Sequence, residues 1–144
     1  MRRLPPAPSV LWLVGVLVAL ALGAGGLRLC VAPIDVSGGT TLGSTVAGAK
    51  ANDALVYQAH ASLGRLLGSL GCTSEAVGLQ WLKAAAHART DEQVVQAAVG
   101  LAAARARAAQ PTAFDAQLCR YVARGFANAF QARAVATAGL RCAP

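Results

Sequence analysis

An uncharged segment near the N-terminus constrains this chain more than any other feature. No charged residue occurs between Arg3 and Arg28, and residues 10–27 form an apolar run. As a helix rising 1.5 Å per residue, that run spans roughly 27 Å, about the thickness of a bilayer's hydrocarbon core. Arg2 and Arg3 precede it, which predicts a cytoplasmic N-terminus and an extracytoplasmic remainder. We therefore expect a single-pass membrane protein.

Two other interpretations of this segment stay open. A signal peptidase needs small residues at its cleavage site, and residues 19–21 and 23–25 offer such sites. Cleavage there would make the protein periplasmic or secreted. Alternatively, Cys30 follows the apolar run as in a lipoprotein, although Arg28 and Leu29 depart from the small residues expected before a lipidated cysteine. All three interpretations deliver the following domain to the same side of the membrane.

If the helix is retained, it carries a face of small residues. Gly15, Ala19 and Gly23 recur every four residues. Such spacing lets transmembrane helices approach closely, so these residues are a candidate packing face. In a chain this rich in alanine and glycine the same spacing also arises by chance, and that is the favoured interpretation.

The rest of the chain predicts an all-α domain. We assign residues 1–29 to the signal-anchor or signal peptide, residues 30–48 to a linker rich in Gly, Ser and Thr, and residues 49–144 to a helical domain. Helix-forming residues dominate the last range, and no convincing strand pattern occurs. Four antiparallel helices joined by short turns form an up-down bundle, which is the predicted fold.

The four helices differ in how their apolar residues are spaced. The first, residues 49–70, places a face of apolar residues at helical spacing, and Gly71 follows as its cap. The second begins after Thr73, and the third opens with a capping box from Thr90 to Gln93. The fourth begins near Thr112 and continues to Gly139. The positions predicted to be buried are Leu55, Ala59, Leu63, Leu66 and Leu70; Val77, Trp81, Leu82 and Ala85; Val94, Ala98 and Leu101; and Phe114, Leu118, Tyr121, Val122, Gly125, Phe126, Ala129 and Phe130.

The four cysteines predict two structural disulfides, because all lie on the oxidising side of the membrane. Cys119 and Cys142 flank most of one helix, and a continuous helix would hold them roughly 30 Å apart. A disulfide requires Cα atoms within about 7 Å, so these two should not pair. In an up-down bundle Cys72 lies near Cys119 at the end far from the membrane. The predicted pairs are therefore Cys72–Cys119 and Cys30–Cys142.

Residues that carry catalysis or bind metals are sparse. His60 has no possible metal ligand three or four residues further on, and Asp91, four residues after His87, is explained by the capping box of the third helix. We interpret both histidines as helix-surface residues. The chain has no G-x-S-x-G, C-x-x-C or H-E-x-x-H motif. These observations predict a protein that is not an enzyme and has neither a cofactor nor a metal ion.

Charge suggests one contact surface. The net charge is +7, of which Arg2, Arg3 and Arg28 contribute three near the membrane. Arginines on the last two helices most simply form an ordinary solvated face; the functional interpretation is a basic face that attracts anionic headgroups or an acidic partner. Nucleic acid is not expected as a partner, because the domain lies outside the cytoplasm. The residues of this predicted face are Arg105, Arg107, Arg120 and Arg124.

These features lead to two functional hypotheses. The first is a non-enzymatic, membrane-tethered extracytoplasmic helical protein that acts as a small subunit or assembly factor of an envelope complex. The alternative is a secreted or periplasmic carrier that binds a small apolar ligand between its helices. Cleavage of the N-terminal segment would favour the carrier, and co-purification with other envelope proteins would favour the subunit.

Overall fold

A computed structural model describes residues 12–20, Cys30 and residues 46–142, with side chains described from Asp53 onward in the last range. The chain divides into two units, Met1–Ala32 and Pro33–Pro144. In the first unit, residues 12–20 are helical. The second holds the helices α1 (Val46–Ser69), α2 (Ser74–Ala86), α3 (Asp91–Arg107), α4 (Pro111–Tyr121) and α5 (Ala129–Thr137). The described residues contain no strand, and the all-helical fold predicted from the sequence is confirmed for them.

Helix α2 is the centre of the second unit and contacts each of the other four helices. Short turns of four residues each join α1 to α2 and α2 to α3. Its predicted core residues Val77, Trp81, Leu82 and Ala85 are all buried. The helical bundle is therefore confirmed, with α2 as its central element.

Local signals place most helix ends where the sequence predicts them. The hydroxyls of Thr73 and Thr90 accept hydrogen bonds from backbone N–H groups in the first turns of α2 and α3. Gln93 also reaches back, but it accepts from the N–H of Arg89, one residue before the cap. Gly71 follows α1 with φ +72°, a conformation that favours glycine. Caps of this kind depend on neighbouring residues alone, so the sequence can reveal them.

The predicted fourth helix starts within one residue of the predicted position, but it is divided into two helices. It begins at Pro111 without a side-chain cap from Thr112, and it ends at Tyr121. A second helix starts only at Ala129, after Gly125 has turned the chain at φ +105°. A residue in the left-handed conformation stops a helix, so the predicted apolar stripe is divided between two separate helices. Phe114 and Leu118 are buried as predicted, whereas Tyr121 and Phe126 are exposed.

This break changes the disulfide pairing. Cys119 is bonded to Cys142, with Cα atoms 5.3 Å apart, because the chain reverses between α4 and α5. The predicted pairs Cys72–Cys119 and Cys30–Cys142 are therefore wrong. The prediction that the cysteines form disulfides is confirmed, since Cys30 and Cys72 are also disulfide-bonded and none of the four is free.

The buried face of α1 also differs from the prediction. Leu55, Leu66 and Leu70, which we call the leucine stripe, are 66%, 45% and 47% exposed. Tyr57 and His60 are fully buried instead. The Tyr57 hydroxyl lies 3.1 Å from the carbonyl oxygen of Gln93 on α3, to which it donates a hydrogen bond. Hydrogen bonds to neighbouring helices thus offset the free-energy cost of burying these polar groups. Because this side of α1 faces the core, the side that carries the leucines faces solvent.

The structure describes only part of the predicted membrane segment. Residues 10, 11 and 21–27 lie outside the described residues, as does Gly23 of the predicted packing face. Gly15 and Ala19 belong to the helical residues 12–20. Across the described residues, no helix combines the length and the apolar character needed to span a bilayer.

Candidate functional site

The indole of Trp81 separates α1 from α3 and depends on two glycines. A Cβ atom at Gly64 would lie 2.8 Å from the indole nitrogen, and one at Gly100 only 2.2 Å from the ring carbons Cδ2 and Cε2. Both distances are too short for any residue with a side chain. Trp81 is 7% exposed, so the ring fills the space between the two helices almost completely.

An open groove of about 680 Å³ lies over this indole, between α1 and α3. Its apolar wall on α3 includes Val95 and Val99, which are 56% and 64% exposed. Large apolar side chains exposed beside a groove mark surfaces that bind other molecules. We call this feature the Trp81 groove; it is lined by Gly64, Arg65, Gly68, Ser69, Val77, Trp81, Val95, Gln96, Val99, Gly100, Ala103 and Arg107.

Two arginines make the Trp81 groove electropositive. The guanidinium carbon of Arg65 on α1 lies 5.6 Å from the centroid of the Trp81 ring, in cation–π contact. Arg107 at the end of α3 reaches towards α1, its Nη2 atom 3.4 Å from where a Cβ of Gly68 would lie. No carboxylate of the described residues lies within 4.0 Å of either guanidinium. The groove therefore offers two cations to an occupant.

The four arginines of the predicted basic face lie in different settings. Arg105 forms a two-pronged ion pair with the buried Asp115, through Nε and Nη2 at 2.8 and 3.0 Å from the carboxylate oxygens. The hydrogen bond to Asp115 raises the pKa of Arg105. Arg107 lines the Trp81 groove, whereas Arg120 lies in α4 and Arg124 in the turn that follows it, both exposed. A shared contact role for the four stays a prediction.

A polar cluster lies on the other half of α1. The rings of His60 and His87 are stacked, with centroids 6.4 Å apart. His60 donates a 2.7 Å hydrogen bond to the side-chain oxygen of Gln80 and is fully buried, so its interpretation as a surface residue is wrong. His87 and Arg89 both donate to the carboxylate of Asp53, at 3.0 and 2.7 Å. This cluster joins α1 to the end of α2.

The described residues contain no group of three or more His, Cys, Asp or Glu side chains placed to hold a metal ion. The polar cluster contains one carboxylate, and its hydrogen bonds connect helices. We therefore treat it as a structural element.

Asp53 gives this cluster a pH dependence. Burial raises its pKa, but the hydrogen bonds from His87 and Arg89 and the positive charge of Arg89 outweigh that effect, so the pKa falls below its ordinary 3.8. A depressed folded pKa stabilises the protein above the unfolded value, and this stabilisation is lost as pH falls through the folded value. We expect Asp53→Asn to be less stable than wild type near neutral pH and the difference to shrink below pH 3.8.

Urea unfolding of both proteins from pH 2 to pH 7 measures this difference. Asp91→Asn is the matched control, because its ion pair with Arg133 is exposed and should contribute at most about 1 kcal/mol. If the difference in unfolding free energy between wild type and Asp53→Asn were constant over the whole pH range, the lowered pKa of Asp53 would be contradicted.

The Trp81 groove was not predicted from the sequence. The spacing of apolar residues predicts Trp81 in the core, which is correct, but it gives no role to Arg65 or to the glycines beside the indole. A signal did exist, because glycine inside a helix costs about 1 kcal/mol relative to alanine. Gly64, Gly68 and Gly100 interrupt alanine-rich helices at positions where that cost needs a compensating contact.

No protein-family model, curated protein or solved structure matches this chain.

Proposed function

We propose that this protein is a non-enzymatic, membrane-tethered extracytoplasmic helical protein that works by contact, as a small subunit or assembly factor of an envelope complex. The Trp81 groove is the observation that carries the proposal. It combines exposed Val95 and Val99 with two arginines that have no carboxylate within ion-pairing distance in the described residues. Soluble monomers rarely leave such surfaces open to solvent unless they bind something.

The tether and the orientation are supported by the sequence. The uncharged run of residues 10–27, preceded by Arg2 and Arg3, is typical of an anchor with its N-terminus in the cytoplasm. Disulfide-bonded cysteines are typical of an oxidising compartment, which agrees with an extracytoplasmic domain.

The leucine stripe supports a role in an assembly. By helical spacing, it lies on a different side of α1 from Gly64 and Gly68, which line the Trp81 groove. The domain therefore has two separate apolar surfaces. A subunit that contacts more than one neighbour would use both.

Co-purification tests the proposal. The full chain, carrying a C-terminal tag, is purified from its native membranes in mild detergent. We expect other envelope proteins to co-purify in fixed ratio with a chain that retains residue 1 or 2. Val99→Asp should reduce their recovery at least tenfold, because it places a charge in the apolar wall of the groove.

Tyr121→Asp is the matched control, because Tyr121 is 59% exposed, similar to Val99, but lies outside the groove. It should leave recovery unchanged. Circular dichroism of both variants should match wild type, since neither side chain is part of the core. A chain recovered alone, or equal losses in the two variants, would refute the proposal.

The carrier remains the second candidate because of the size of the groove. Its volume of about 680 Å³ lies within the range of about 300–1,000 Å³ typical of small-molecule sites. The intact mass of the mature protein separates the two candidates. A chain beginning after residue 21 or 25, with a small hydrophobic molecule released on extraction with organic solvent, would favour the carrier.

A further inference from the structure

We infer that the Trp81 groove binds an amphipathic helix whose apolar face is flanked by acidic side chains. This inference rests on the proposed function, in which the groove is a contact surface, and it defines the chemistry of the partner. The shape of the groove, the charge on its two walls and the small number of carboxylates on the chain itself each support it.

The shape of the groove suits a helix. Val95, Val99 and Ala103 recur every four residues on α3 and form an apolar ridge. Opposite them on α1, Gly64 and Gly68 lie one turn apart and leave a valley. Helices pack by placing the side-chain ridges of one into the grooves of another, and small residues permit close approach. The side chains of an added helix would fit between this ridge and this valley.

The positive charge of the groove determines which side chains should flank the apolar face of the bound helix. Arg65 lies on the α1 wall and Arg107 on the α3 wall, both exposed. An occupant that covers the groove removes water from both guanidinium groups. Covering a cation without a partner is costly, and a carboxylate on each flank of the helix removes that cost by forming a charge-assisted hydrogen bond.

A second copy of this chain fits poorly. Three of the chain's six side-chain carboxylates, those of Asp53, Asp91 and Asp115, already pair with an arginine, which leaves few to meet Arg65 and Arg107 of another copy. With a net charge of +7, two copies joined through this groove would place like charges together. A partner with acidic side chains avoids this repulsion.

Selection from a displayed library of helical peptides tests the inference with defined probes. The target is the full chain in mild detergent, carrying Trp12→Phe so that emission comes from Trp81, the other of its two tryptophans. We expect enriched peptides to have Asp or Glu on both sides of an apolar stripe and to shift the emission of Trp81. The double variant Arg65→Gln/Arg107→Gln should bind them at least tenfold more weakly.

Charge reversal provides a positive control. Arg65→Glu/Arg107→Glu should bind an enriched peptide in which lysine replaces each acidic residue. That recovery would show that charge at the groove determines binding, because loss of folding cannot produce it. Both double variants should retain the helical circular dichroism of wild type, since the two arginines are exposed.

Other occupants correspond to other outcomes, each of which would overturn the inference. These outcomes are enrichment of peptides without acidic residues, equal binding to the double glutamine variant, and unchanged Trp81 emission. Arginine-dependent binding of phosphatidylglycerol vesicles without any peptide would identify a lipid surface, and arginine-dependent dimers in light scattering a second copy. Loss of co-purified proteins on Val99→Asp, but not on the arginine changes, would refute the acidic helix and leave the proposed function standing.

Discussion

Replacing both Cys119 and Cys142 with alanine should lower the free energy of unfolding by about 3 kcal/mol. Their bridge spans 23 residues, and the cost of closing such a loop in the unfolded chain accounts for a loss of that size. Guanidinium unfolding without reductant measures it, and peptide mapping of wild type should recover Cys119 joined to Cys142. An unchanged midpoint, or a fragment joining Cys72 to Cys119, would contradict the structure.

The same variant should loosen α5 first. The bridge ties down the chain just after the end of this helix, at Cys142, and two polar contacts hold its start to α2. The Asn128 side chain donates to the carbonyl of Ala86 at 2.7 Å, and that of Gln131 donates to the carbonyl of Leu82 at 3.1 Å. Hydrogen exchange should therefore speed up in residues 129–137 more than in α2.

Replacing Gly100 with alanine should cost about 2 kcal/mol, although alanine is the better helix former. The added methyl group would lie 2.2 Å from the carbons of the Trp81 ring, which is itself held against Gly64. Overpacking typically costs about 1–3 kcal/mol, and contacts as short as 2.2 Å place this variant at the upper end of that range. The gain in helix propensity offsets about 1 kcal/mol, which leaves a net loss of about 2 kcal/mol. Thermal and urea unfolding should both show the loss, with a changed near-ultraviolet signal from the indole.

Gly68→Ala is the matched control for this prediction. Its Cβ would lie 3.4 Å from the Nη2 atom of Arg107, which is the end of a flexible side chain. We expect this variant to match wild type or to gain up to about 1 kcal/mol from helix propensity. If Gly100→Ala were equally stable, the close contact between the indole and α3 would be wrong.

Local chemistry explains which parts of the fold the sequence could predict. The ends of α2 and α3 depend on Thr73, Thr90 and their nearest neighbours, and both were predicted correctly. The buried face of α1 could not be predicted in this way, because the spacing of its leucines carries no information about residues distant in the sequence. Tyr57 and His60 are buried because Gln93 and Gln80, 36 and 20 residues away, accept their hydrogen bonds.

The disulfide prediction failed for a related reason. It assumed one rod from Thr112 to Gly139, and the 30 Å separation followed from that assumption. Gly125 was visible in the sequence, but glycine inside an apolar stripe is also compatible with close helix packing. The Trp81 groove depends still more on tertiary structure, since α1, α2 and α3 all contribute to its lining.

Because of the position of Trp81, the groove can exist only in the folded domain. The ring is at once the spacer between α1 and α3 and part of the lining of the groove above it, so an occupant can bind only while both helices are in place. Any ligand that binds the folded chain alone stabilises it, by about 2.7 kcal/mol at 100 times its dissociation constant. If the groove binds the proposed partner, the melting temperature of this small domain should therefore rise with the concentration of that partner. A chain without the partner should then be easier to unfold and to degrade, which would limit the amount of unassembled protein.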